Sequence, residues 1–93
     1  MDPNEVSSPK KRLRELEVLY NNGIFAIASM KWDGSNRIGI RWNGEDDSKG
    51  YPHSHAHATW FIIPKEVAHA YAKFLNDAEM ESVVMASDDA SFV

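Results

Sequence analysis

The first apolar pattern in the chain has the spacing of a helix. Four apolar residues recur three or four positions apart after Ser8 and Pro9, namely Leu13, Leu16, Leu19 and Tyr20. Serine can cap free amide groups at a helix start, and proline fits the first helical position because it lacks an amide proton. Gly23 supplies a stop that tolerates left-handed backbone. This pattern predicts a first helix over about residues 9–21.

The next segments alternate with a period of two, which is typical of strands. Residues 24–32 and 37–43 are separated by four turn-forming residues, Asp33 to Asn36, so they predict a β-hairpin. A third strand is predicted over residues 59–63, which are rich in β-branched and aromatic side chains.

The alternation also predicts which side chains share a face. We assign one face to the helices because its alanines allow close approach, and it comprises Ile24, Ala26, Ala28, Met30, Ile38, Ile40 and Trp42. The opposite face is expected to lie open and to bind a partner protein. Its apolar centre would be Phe25, Ile27, Phe61 and Ile63, and its charged rim Lys31, Arg37 and Arg41.

A second helix is predicted after Pro64, where Val67, Tyr71, Phe74, Leu75 and Ala78 follow helical spacing. Met80 to Met85 would extend it or form a short extra segment. The predicted fold is α+β, a helix, a three-stranded antiparallel sheet and a helix, in two layers with both helices on one sheet face. The chain would divide into a flexible tail at 1–7, a single domain at 8–86 and a flexible acidic tail at 87–93.

Composition narrows the class of protein. The chain has 93 residues, of which 43% are hydrophobic, and no cysteine, so it predicts one small core without disulfides or thiolate metal sites. Residues 1–9 are polar and predict no signal peptide, and no apolar run is long enough for a membrane span. We therefore expect a cytoplasmic protein. Ser54 lies between two histidines, but immediate neighbours on a strand point to opposite faces, so no nucleophile is paired with a base and an enzyme is not indicated.

The charge distribution leaves a nucleic-acid alternative open. Residues 10–43 carry seven basic and three acidic residues, whereas residues 44–93 carry three basic and nine acidic ones, within a net charge of −4. A nucleic-acid-binding accessory protein would use the basic half, chiefly Lys10, Lys11, Arg12 and Arg14.

Three alternating histidines, His53, His55 and His57, leave a metal-dependent enzyme as another alternative. An extended strand would place all three imidazoles on one face, where two could converge on zinc or another transition metal. The sequence favours a different function, a small non-enzymatic binding or regulatory protein that acts through its open sheet face. Because so small a domain gains stability by association, we expect a homodimer.

Overall fold

The computed structural model describes residues 1–45 and 47–88. These residues form a 3-10 turn at Pro3–Glu5, six strands and two helices. The elements are β1 (Leu13–Asn21), β2 (Phe25–Trp32), β3 (Ser35–Trp42), β4 (His53–Ser54), β5 (His57–Ala58), β6 (Phe61–Ile63), α1 (Lys65–Leu75) and α2 (Ala78–Met85).

Four strands form one antiparallel sheet in the order β1-β2-β3-β6, and β4 pairs with β5 in a separate small hairpin. The two helices follow the sheet in the chain, so the predicted α+β class is confirmed. The predicted order of helix, three strands and helix is wrong, because the residues assigned to a first helix at 9–21 form the edge strand β1 instead.

The apolar residues of β1 divide between both faces of the sheet. Two β-bulges interrupt its pairing with β2, one between Arg14 and Glu17 and one between Val18 and Tyr20. Each bulge adds a residue and changes which face the following side chains occupy. The residues that pack on one face are Leu13, Leu16 and Val18, and those on the other are Leu19 and Tyr20. Their combined spacing therefore imitates that of a helix.

The predicted β2–β3 hairpin is confirmed, with a two-residue turn at Asp33 and Gly34. Both have positive φ, 53° and 84°, as a type I′ turn requires. An even-numbered turn places even positions of β2 opposite odd positions of β3, as in the pairs Ala26–Arg41, Ala28–Gly39 and Met30–Arg37. The predicted face that joined Ile24, Ala26, Ala28 and Met30 with Ile38, Ile40 and Trp42 is therefore wrong.

The helices pack on the sheet face that carries Ile27 and Ile38. The buried core on this side comprises Ile27, Ile38, Ala68, Ala72, Met80 and Val84. Ile27 is only 2% exposed. Ile27 was expected on the open face, so the prediction of an uncovered sheet face at this position is wrong, whereas Ile38 faces the helices as predicted.

The opposite sheet face is covered by the N-terminal segment and by the residues that lead into β6. Its buried core comprises Val6, Leu13, Ala26, Ala28, Met30, Ala58 and Trp60. The indole Nε1 of Trp60 donates a hydrogen bond of 2.8 Å to the carbonyl oxygen of Val6. Residues 1–7, expected to be a loose tail, thus belong to the fold, with Pro3 and Val6 buried.

The predicted second helix is confirmed as α1, but it ends at Leu75. Ala78, which was assigned to it, begins a separate helix, α2, which also contains the segment from Met80 to Met85. Asn76 ends α1 with left-handed backbone at φ 55°. Asp77 then caps α2, its carboxylate accepting a 3.0 Å hydrogen bond from the amide of Met80. Neither helix in the described ranges is long and apolar enough to cross a membrane.

The chain returns to the sheet after α2. The amide of Asp88 donates to the carbonyl oxygen of Asn36 at 2.9 Å, and the Asp88 carboxylate accepts from the Asn36 amide at 2.8 Å. The predicted acidic tail at 87–93 therefore includes one residue, Asp88, that bonds to β3, and its positions 89–93 lie outside the described residues.

Candidate protein-binding surface

One side of the helix-bearing layer remains uncovered by the described residues. α1 contributes the small residues Ala68 and Ala72 to the core, which leaves larger apolar side chains of the helix outside. We define the aromatic surface as five side chains that are 45–79% exposed: Trp42, Tyr51, Phe61, Val67 and Phe74. Phe74 is the most exposed of them, at 79%.

Ring contacts join the helical and sheet parts of the aromatic surface. The ring of Phe25 lies 6.1 Å from that of Trp42 and 5.8 Å from that of Tyr71, both edge-on. Tyr71 in turn stacks on Phe74 at 5.8 Å. These separations fall in the range in which aromatic pairs attract. The half-buried rings of Phe25 and Tyr71 therefore hold Trp42 and Phe74 in one connected array.

The sheet edge supplies the second part of the array. Tyr51 forms an isolated antiparallel bridge with Trp42, in which the two residues exchange backbone hydrogen bonds of 2.7 and 3.0 Å. The Tyr51 ring lies 5.3 Å from the ring of Phe61 on β6. Backbone pairing thus places Tyr51 and Phe61 beside Trp42 without help from the helices.

Only part of this surface was predicted from the sequence. Phe61 was expected to contact a partner and belongs to the aromatic surface. Phe25, also expected to do so, is half-buried against Trp42, and Ile63 is half-buried against the helix-side core. Val67 and Phe74 were assigned to the buried side of their helix, because they share its apolar spacing. The missed signal was the pair of alanines at positions 68 and 72, which mark the face that packs closely.

The expected charged rim does not form. Arg37 and Arg41 lie in the sheet face opposite the helices and are buried. Arg37 donates to the carbonyl oxygen of Asp88 at 3.2 Å. Lys31 is half-buried, with its Nζ 3.9 Å from the carboxylate of Glu15.

Arg41 is 1% exposed and acts as an anchor for the loop between β3 and β4. Its guanidinium donates to the carbonyl oxygens of Lys49, Pro52 and Thr59. Within the described ranges no carboxylate pairs with it, and burial lowers the pKa of Arg41. This buried cation therefore organises the backbone that carries Tyr51.

The residues proposed for nucleic-acid binding lie before and at the start of β1. Lys10, Lys11 and Arg14 are exposed there. Arg12 makes a 2.5 Å ion pair with Asp33 and lies 5.0 Å over the ring of Trp32. The hydrogen bond from Arg12 lowers the pKa of Asp33, so this arginine is already engaged within the chain.

The three histidines do not share one face. His53 pairs with Ala58, and the chain reverses at His55 and Ala56, which have positive φ of 48° and 69°. The premise of one extended strand is therefore wrong. In residues 1–45 and 47–88, no three histidine, cysteine or acidic side chains are grouped so that they could hold a metal ion. The fourth histidine, His69, hydrogen-bonds to Glu81 at 2.9 Å.

No protein-family model, curated protein or solved structure matches this chain.

Proposed function

We propose that this chain is a small non-enzymatic binding protein that acts through its aromatic surface and associates with a second copy of itself. The observation that carries the proposal is the connected array of rings from Phe74 to Trp42 and on to Tyr51 and Phe61. Contiguous exposed apolar surface of this kind marks interaction sites in soluble proteins.

The chemistry of the array favours a protein partner. Tryptophan and tyrosine supply large rigid area with few rotatable bonds, and they are enriched among the residues that dominate binding energy at interfaces. The inner rings of Phe25 and Tyr71 fix the outer ones, so little side-chain freedom remains to be lost on association.

A second copy is the partner that the small size of the chain favours. The core of a 93-residue domain is modest, and here it is divided between the two faces of one sheet. Self-association would cover the apolar residues that this core leaves outside. Homodimers commonly form by pairing the same patch of both subunits around a two-fold axis.

Sedimentation velocity between about 10 and 500 µM protein tests this proposal, since this range brackets dissociation constants of tens to hundreds of micromolar, or roughly −5 to −7 kcal/mol of binding free energy. The unmodified chain is expected to form a dimer, and Phe74→Glu is expected to be monomeric over the whole range. Met85→Glu is the matched control, because Met85 is an exposed apolar residue, at 52%, on the other helix.

A monomeric parent protein at the highest concentration would rule out self-association. Equal dissociation by Phe74→Glu and Met85→Glu would show that the interface is not the aromatic surface.

A further inference from the structure

We propose that two copies associate by pairing α1 with α1 antiparallel, with Ala70 at the two-fold axis. This inference rests on the proposed function, because it specifies how the aromatic surface meets a second copy. The proposed pairing is drawn from the exposed side of α1. The residues of the helix that are classed as exposed are Glu66, Val67, Ala70, Lys73 and Phe74.

The outward residues of α1 divide into an apolar and a charged flank. At 100° per residue, Val67 and Phe74 lie on one side of the line through Ala70, and Glu66 and Lys73 lie on the other. Each flank holds two residues that are seven positions apart. The midpoint of each pair falls half a residue from Ala70, so the exposed residues are arranged almost symmetrically about that position.

In an antiparallel pair, the two-fold axis is perpendicular to the plane that contains both helix axes. This rotation places each flank of one helix against the same flank of the other helix, with the order of its residues reversed. Val67 of one copy would then meet Phe74 of the other, and Glu66 of one would meet Lys73 of the other, each contact occurring twice. In a parallel pair, by contrast, the two-fold axis would exchange the flanks, so that the charged residues Glu66 and Lys73 of one copy would lie against the apolar flank of the other. Only the antiparallel arrangement matches apolar with apolar residues and opposite charges with each other.

Glu66 and Lys73 are available for such contacts. Neither forms an ion pair among the residues that the structure describes. At the centre of the stripe, Ala70 presents only a methyl group, which allows two helix axes to approach to the lower end of the usual 8–10 Å.

Charge reversal tests the pairing with two single variants, Glu66→Lys and Lys73→Glu. Each is expected to weaken self-association about tenfold or more, because it places two like-charge contacts in each dimer. An equimolar mixture of the two is expected to recover the parent affinity, since one chain then presents lysine at both positions and the other presents glutamate at both. The double variant Glu66→Lys/Lys73→Glu is expected to dimerise like the parent.

Glu5→Lys and Lys11→Glu are matched controls, because they make the same changes of net charge at exposed positions outside α1. They are expected to leave the dimer unchanged, alone and mixed. Sedimentation velocity measures every combination, and recovery of the dimer in the mixture shows that both variants are folded.

The failure of this inference is distinct from that of the proposed function. If Phe74→Glu dissociates the dimer while both charge reversals leave it intact, the aromatic surface pairs copies in another geometry and the antiparallel arrangement is wrong. If the two variants dissociate and their mixture stays monomeric, the Glu66–Lys73 contact is wrong as well. A monomeric parent chain would remove both proposals.

Discussion

Arg41 illustrates how one buried cation can organise a loop without a carboxylate partner in the described ranges. It lies in the sheet face opposite the helices and bonds to carbonyl oxygens from three positions of the following chain. Gly50 makes this approach possible, because a Cβ at that position would meet both the Arg41 guanidinium and the Trp42 carbonyl oxygen. The backbone around Tyr51 is thereby fixed next to Trp42.

Replacing Arg41 with methionine is expected to lower the free energy of unfolding by about 2–4 kcal/mol, since buried carbonyl oxygens lose their donor. Arg14→Met is the control, because Arg14 is exposed on β1, and its effect is expected to stay within about 0.5 kcal/mol. Urea denaturation of both variants gives the comparison. Equal stability of Arg41→Met and the parent would show that the anchor is dispensable.

At the scale of elements, periodicity predicted the segments that bury one face or carry clear end signals. The β2–β3 hairpin has alternation and turn residues, and α1 follows Pro64 with helical spacing. β2 packs on both faces as well, but its pairing is regular, whereas two bulges interrupt the alternation of β1. Some leucines of β1 pack on one face of the sheet and others on the opposite face, so no single period describes their spacing.

The face assignment failed for a related reason. The parity of the turn decides which side chains of β2 and β3 share a face, and a change of one residue in register turns a strand over. The alanines of β2 do mark a close approach, but the N-terminal segment and Trp60 make it instead of the helices. The position of that segment follows from a contact more than 50 residues away in the chain, which local spacing does not encode.

The N-terminal segment is expected to act as part of the core. Val6→Ala should lower the free energy of unfolding by about 2 kcal/mol, because it removes two buried carbon atoms and leaves a cavity above β2. Ser7→Ala, at the adjacent exposed position, is expected to change it by less than about 0.5 kcal/mol. Thermal or urea unfolding measures both. Equal effects would mean that Val6 is not held against the sheet.

At the scale of the whole molecule, one sheet separates two small cores, and neither covers the outer side of α1 or the end of β3. In the proposed dimer, folding and association would be linked, since a dimer stabilises only the folded chain. The surface that α1 leaves exposed would contribute to stability only when copies meet.

The melting temperature is therefore expected to depend on protein concentration. Between about 5 and 500 µM it should rise by about 4 °C or more for the parent chain, because mass action favours the folded dimer. Phe74→Glu is expected to melt at one temperature throughout this range. Scanning calorimetry provides the measurement, and a melting temperature of the parent that does not change with concentration would contradict the prediction.

The bulged edge strand has a consequence for solubility. Among the described strands, β1 pairs only with β2, so its outer edge is open. A flat open edge is a template for intermolecular sheets and fibrils, but bulges and charged side chains spoil that template. Glu15, with left-handed backbone at φ 53°, lies at the first bulge, between Arg14 and Glu17. The same irregularity that hides β1 from sequence periodicity thus protects the protein from edge-to-edge aggregation.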